Sequence, residues 1–206
     1  MIILTELKQT GPERFLARFD NDETVRTTLN VVTDLGLYSG KALSDEEFDQ
    51  IQNASSLALC KQRALRIIGA RPLSRKELRD RLKEKGESAE NAEMAVEWLT
   101  DLRLLDDEQY AAAVVRHYTV KGYGAGRIRA ELAHRGVDRD YWDEALAFAS
   151  GSDDKLISYI RSHLRDPDDR DQKRKVSAAL YRRGYSWDEI RSALSRFSSG
   201  SEDDYE

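Results

Sequence analysis

Three stretches, RDRLKEKGES, RAELAHRGVD and SAALYRRGYS, share one frame, and this repeat restricts the fold more than any other feature. Gly86, Gly136 and Gly184 recur at spacings of 50 and 48 residues. A leucine stands four residues before each glycine (Leu82, Leu132, Leu180), and another apolar residue stands eight before (Leu78, Ile128, Val176). The residue just before each glycine is basic: Lys85, Arg135 and Arg183. An i, i+4 apolar pair lays one stripe along a helix. A glycine just past a helix end takes the left-handed conformation that closes it, and a cation in the last turn opposes the negative end of the helix dipole.

Amphipathic stretches flank each of these helices. Leu65 and Ile68, then Tyr110, Val114 and Tyr118, then Leu156, Ile160 and Leu164 precede them; Val96 and Leu99, then Leu146, then Ile190 and Leu194 follow. Each unit therefore holds three helices, and a period near 50 residues signals a tandem array of modules. The starts of the first helices repeat as well. Asp106 is placed to cap one, with Gln109 three residues on, and Asp153 stands at the corresponding position 47 residues later.

The N-terminal part is different. Phe15, Ala17 and Phe19 alternate with Arg14, Leu16 and Arg18, the period of a strand with one buried face. Gly11-Pro12 and the stretch DNDE (20–23) mark turns, and TVRTTL (24–29) resumes strand-type residues, so two or three antiparallel strands are expected. LNVVTDLG predicts a short helix closed at Gly36, and Ser44 with Glu47 forms a capping box. Pro72 and Pro167 fall where loops are expected. The chain then divides into a β/helix extension (1–42), a first helical repeat with its lead-in helix (43–105), a second (106–150), a third (151–197) and an acidic tail (198–206) expected to be disordered. The fold class is mainly α: tandem three-helix repeats in an elongated array, with a small antiparallel β extension.

Composition excludes several functions. No apolar run is long enough to span a membrane, and the N-terminus lacks the basic and apolar regions of a signal peptide. Cys60 is the single cysteine, which rules out an internal disulfide and fits a cytoplasmic protein. With three scattered histidines, a zinc site is not expected, nor is any other metal or cofactor. The glycines of VKGYGAGRI (120–128) invite a nucleotide-loop reading, but Arg127 stands where a dinucleotide fingerprint needs glycine, and a helix rather than a strand precedes it. In the repeat frame Gly124 instead occupies the position of Ser74, which with Glu77 forms a capping box in the first unit. The segment is then a turn between two helices, and its glycines suggest a flexible or sterically open one. Asp106 and Asp107 are read as helix caps rather than catalytic carboxylates, and Trp98, Trp142 and Trp187 as core. No catalytic constellation is present.

Charge is unevenly spread. The chain carries a net −5, yet residues 71–85, 116–139 and 161–183 each carry +4, while residues 1–60 carry −5. On the helix after Gly126, Arg127 and Arg129 lie about 100° to either side of Ile128. Arg75, Lys76, Arg79 and Lys83 decorate the first repeat, and Lys173, Arg174, Arg182 and Arg183 the third. With Tyr123 and Arg135 in the second, these are the candidate contacts to an anionic partner.

At these residues the sequence resembles the RecX family, the bacterial regulators of the RecA recombinase. The matching pieces are ALRIIGARPLSRKELRDRLKEKG (64–86), LLDDEQYAAAVVRH (104–117), GYGAGRIRAELAHRGVD (122–138) and ALYRRGYSWDEI (179–190). They follow the family's order and spacing over about residues 60–195, and residues 1–55 resemble loosely the extension of longer members. The resemblance implies binding, by a monomer, along the groove of RecA–single-stranded DNA filaments, and inhibition of strand exchange, ATP hydrolysis and coprotease activity. Two other readings stay open. Three-helix units with basic second helices also suit a helix-turn-helix-like DNA-binding module, and direct, weak DNA binding would belong to it. A helical scaffold for another protein is the third.

Overall fold

The computed structural model describes residues 1–147 and 152–200. Two compact units are present: Met1–Pro72 with Glu77–Leu105, and Leu73–Lys76 with the described residues from Asp106 onward. Among the described residues no helix is long and apolar enough to cross a membrane.

In the first unit, β1 (Ile2–Gly11), β2 (Arg14–Phe19) and β3 (Thr24–Thr28) form an antiparallel meander, followed by helix α1 (Leu29–Asp34). A fourth strand, β4 (Ala42–Leu43), pairs with the start of β1, giving the order β3-β2-β1-β4. The sequence predicts two or three strands and misses this one, because two residues are too few to show a period of two. Gly36 closes α1 with a φ of 55°, as its sequence indicates. Helix α2 (Asp45–Ala70) begins with the expected capping box: Glu47 N–H donates to the Ser44 hydroxyl at 3.1 Å, and Ser44 N–H to Glu47 Oε2 at 2.7 Å.

The 26 residues of α2 serve two cores. Its first half buries Phe48 and Ile51 against Leu4, Ala17, Phe19 and Val25 of the sheet. The Phe19 and Phe48 rings meet edge-on at 4.8 Å, and the buried Ser55 hydroxyl donates to Thr27 Oγ1 at 2.8 Å. Its second half buries Cys60 and Ala64 and completes the first three-helix domain with α3 (Arg75–Glu84) and α4 (Ala89–Asp101). There the stripe residues Leu78 and Leu82 are fully buried, as are Ala92, Ala95 and Leu99.

In the second unit, α5 (Asp107–Val120), α6 (Ala125–His134), a 3-10 turn (Arg139–Tyr141) and α7 (Trp142–Ala147) close on a core of Tyr110, Ala111, Val114, Val115, Ile128, Leu132, Val137 and Ala145. Helices α8 (Ser152–His163), α9 (Arg170–Arg182) and α10 (Trp187–Gly200) close on Leu156, Ile160, Leu164, Val176, Leu180, Tyr185, Ile190 and Ala193. Asp106 caps α5, accepting from Gln109 N–H at 3.0 Å. The corresponding Asp153 side chain lies outside the described residues, as does the tail from residue 201; α10 itself runs to Gly200.

The frame of the repeat is the same helix ending made three times. Gly86, Gly136 and Gly184 have φ of 86°, 65° and 92°. At each one the glycine N–H and the N–H after it return to carbonyls of the last turn. Glu87, Val137 and Tyr185 donate to Leu82, Leu132 and Leu180 at 3.1, 3.0 and 3.2 Å. This is the Schellman closure, which leaves the recurring leucine buried and its carbonyl satisfied.

Candidate binding surface

The glycines of the middle loop are placed by a close approach. Gly124 N–H donates to Arg183 O and Gly126 N–H to Gly184 O, both at 2.9 Å. Two N–H groups at the start of α6, which no intrahelical partner can satisfy, are thus met by the carbonyls just past the end of α9. A Cβ on Gly124 would sit 2.5 Å from the Gly184 carbonyl, and one on Gly126 3.0 Å from its oxygen. Gly122, with φ of 75°, closes α5. The loop is thus sterically closed, not the open turn that its glycines suggest, because its partner lies 60 residues further along the chain.

The equivalent positions meet one repeat earlier. The Ser74 hydroxyl donates to Arg135 O, and the Lys76 stem fills the space that a Cβ on Gly136 would take, at 2.1 Å from Lys76 Cδ. Ser74 and Gly124 share one frame position, and Arg135 and Arg183 share another. A hydroxyl makes the first contact and a backbone N–H the second, so the second needs glycine. Asp107, nearly buried, accepts from Arg75 N–H at 2.8 Å. The two adjacent carboxylates thus cap different helices: Asp106 its own, Asp107 the start of α3.

These contacts divide the candidate cations. Arg135 is held inside: its Nε donates to Glu131 at 2.8 Å and its Nη1 to the Tyr110 hydroxyl at 2.7 Å. Burial works against its charge, but the Tyr110, Tyr118 and Glu131 partners outweigh it and raise its pKa. Burial likewise opposes the Glu131 carboxylate, yet hydrogen bonds from Tyr118 and Arg135 hold it below the usual range. Arg183 lies over the Tyr159 ring at 4.6 Å and the half-buried Tyr123 ring at 5.9 Å, within reach of cation–π attraction. Arg79 grips Glu93 with both Nε and Nη2, the latter at 2.7 Å, and its hydrogen bond lowers the Glu93 pKa. Arg75 and Lys173 are half-buried.

Lys76, Lys83, Arg127, Arg129, Arg174 and Arg182 are exposed, with Arg174 beside Asp171 at 3.3 Å. One tryptophan departs from expectation. Trp98 and Trp142 are half-buried, but Trp187 is 52% exposed and stacks on the equally exposed Tyr181 at 5.0 Å. It is the first residue of α10, ahead of the turn that carries Ile190 into the core. Among the described residues no three His, Cys, Asp or Glu side chains gather as a metal site would require.

Three family models match along the chain: the first, second and third three-helix domains of RecX, at residues 60–99, 106–146 and 159–194. The regulatory protein RecX of Xanthomonas axonopodis pv. citri (strain 306) is 40% identical over 135 residues, which span 64% of this chain and 83% of that protein. The regulatory protein RecX of Bacillus subtilis (strain 168) is 29% identical over 210 residues, covering 99% and 79%. Two crystal structures share the fold. A regulatory protein RecX superposes with a TM-score of 0.74 at 21% identity, over 93% of this chain and 98% of that one. RecX from Lactobacillus salivarius gives 0.64 at 22%, over 70% and 98%. The matched domains coincide with the three glycine-closed repeats and together cover more than half of the residues, so the chain belongs to the RecX family of regulatory proteins.

Proposed function

We propose that this chain is a non-catalytic regulator that binds RecA–single-stranded DNA filaments and inhibits the ATPase, recombinase and coprotease activities of RecA, in the cytoplasm and as a monomer. The observation that carries the reading is the family membership of all three helical domains. The exposed cations of those domains are its contacts: Lys76 and Lys83, Arg127 and Arg129, Arg174 and Arg182. A protein of net −5 gains little from bare DNA overall, but local basic faces suit a partner whose surface mixes carboxylates and phosphates. The test is the single-stranded-DNA-dependent ATPase of the cognate RecA. Stoichiometric addition of the chain slows it; an unchanged rate refutes the proposal. Tight, steeply salt-dependent binding to bare DNA with no effect on RecA would favour the helix-turn-helix-like reading instead.

A further inference from the structure

The first unit carries an open groove of about 880 Å³ between the second half of α2 and α3. Arg63, Arg66 and Ile67 line it from α2, and Arg81, Glu84 and Lys85 from α3. Spacings of three and four residues put each set on one face of its helix. The two faces meet where Arg63 Nη1 donates to Lys85 O at 2.8 Å. Helix geometry sets Ile67 about 60° round α2 from the buried Ala64, and Arg66 about 160°. The half-buried Ile67 is therefore floor, and the exposed Arg66 is rim. On α3, the half-buried Arg81 and the exposed Lys85 lie on one flank of the buried Leu78 and Leu82.

The charges of the groove are unbalanced. Arg63 is engaged by Glu87 at 2.8 Å. Among the described residues, Arg66, Arg81 and Lys85 have no carboxylate within 4.0 Å. Glu84 is the one carboxylate among the lining residues. Three cations without anionic partners call for an anion, and arginine clusters are a recurring reader of acidic motifs. Two features favour a peptide over a nucleic acid. The apolar floor matches a side chain, whereas no aromatic ring lines the groove for a base to stack on. Glu84 repels phosphates, and a phosphodiester backbone offers it only acceptors, but peptide N–H groups can donate to it. The volume falls in the range of ligand pockets, about 300–1,000 Å³, and admits a short length of chain.

We propose that this groove docks an acidic segment of a protein partner, with carboxylates on Arg66, Arg81 and Lys85 and an apolar side chain against Ile67. The site is independent of the filament reading, because none of its cations is among the six assigned to the filament.

Fluorescence anisotropy of the full chain with labelled peptides tests it. The probe is a peptide of five Asp-Leu repeats, and the controls are five Asn-Leu and five Asp-Ser repeats. The Asp-Leu peptide binds saturably, one per chain. The Asn-Leu peptide binds at least about tenfold more weakly, since charge-assisted contacts are lost. The Asp-Ser peptide also binds at least about tenfold more weakly, since a buried leucine contributes about 1.5–3 kcal/mol. Arg66→Gln with Lys85→Gln, both on the rim, weakens the Asp-Leu peptide by about tenfold or more. Arg174→Gln with Arg182→Gln leaves it unchanged. No saturable binding at millimolar peptide, equal binding of the three peptides, or indifference to the rim pair overturns the proposal. So does displacement of the peptide by a twelve-residue oligo(dT) at lower concentration than unlabelled peptide requires, which would make the groove a nucleic-acid site. Should the double variant not fold, the single Arg66→Gln change is decided by the same criterion.

Discussion

At the scale of single residues, glycine does two different jobs in this chain, and only one of them can be read locally. Gly86, Gly136 and Gly184 follow an amphipathic stripe and a cation, and that context alone implies a positive φ. Gly124 sits at an unremarkable φ of −81°, and its requirement comes from the Gly184 backbone against it. Its role was therefore invisible until the two repeats were brought together. The contrast is measurable by chemical denaturation. Gly124→Ala forces a Cβ into backbone atoms and costs about 1–3 kcal/mol, as overpacking does. Gly69, within α2, has nothing within 4 Å of the added Cβ. Gly69→Ala gains about 0.5–1 kcal/mol of helix preference. Equal effects from the two substitutions would show that the close approach does not constrain the chain.

At the scale of elements, the caps were legible and the division of labour along α2 was not. Ser44, Glu47 and Asp106 announce helix starts within four residues of sequence. Nothing local announces that one helix changes partners midway, because Phe48, Ile51 and Ser55 lie on one stripe while Cys60 and Ala64 open another. The strand β4 escaped for the same kind of reason, being defined by its pairing with β1. Cys60 reports on the second half of α2. Its side chain is fully buried, its Sγ–H donates to Asn91 O at 3.4 Å, and burial pushes its pKa up to about 11. The thiolate is the reactive form, so the native thiol stays protonated and enclosed at pH 8. An aromatic disulfide reagent at that pH labels it only as fast as the first unit opens, and mild denaturant accelerates the reaction. Immediate labelling of the native protein would mean that α2 and α4 are not packed as described.

At the scale of the whole molecule, the repeat was fully legible and the surface only in part. A 50-residue frame identifies three modules without any coordinates, but charge along a sequence does not tell a cation facing solvent from one closed onto its own domain. Arg127, Arg129 and Arg135 lie within nine residues on one helix and its cap, and sequence treats them alike. The structure separates them: Arg135 is tied to Glu131 and Tyr110, while Arg127 and Arg129 are exposed. Substitution should separate them in the same way. Arg127→Ser with Arg129→Ser leaves the unfolding free energy within about 0.5 kcal/mol per site, as exposed positions do. It weakens association with the RecA filament and flattens its dependence on salt, since fewer ionic contacts are formed. Arg135→Gln does the reverse. It leaves a half-buried Glu131 without its cation, at a cost of about 1–3 kcal/mol for the lost charge-assisted contacts, and the salt dependence of the remaining folded protein is unchanged. Loss of filament affinity from Arg135→Gln at undiminished stability would put that guanidinium in the contact surface, and would mean that its bonds to Glu131 and Tyr110 open when the partner binds.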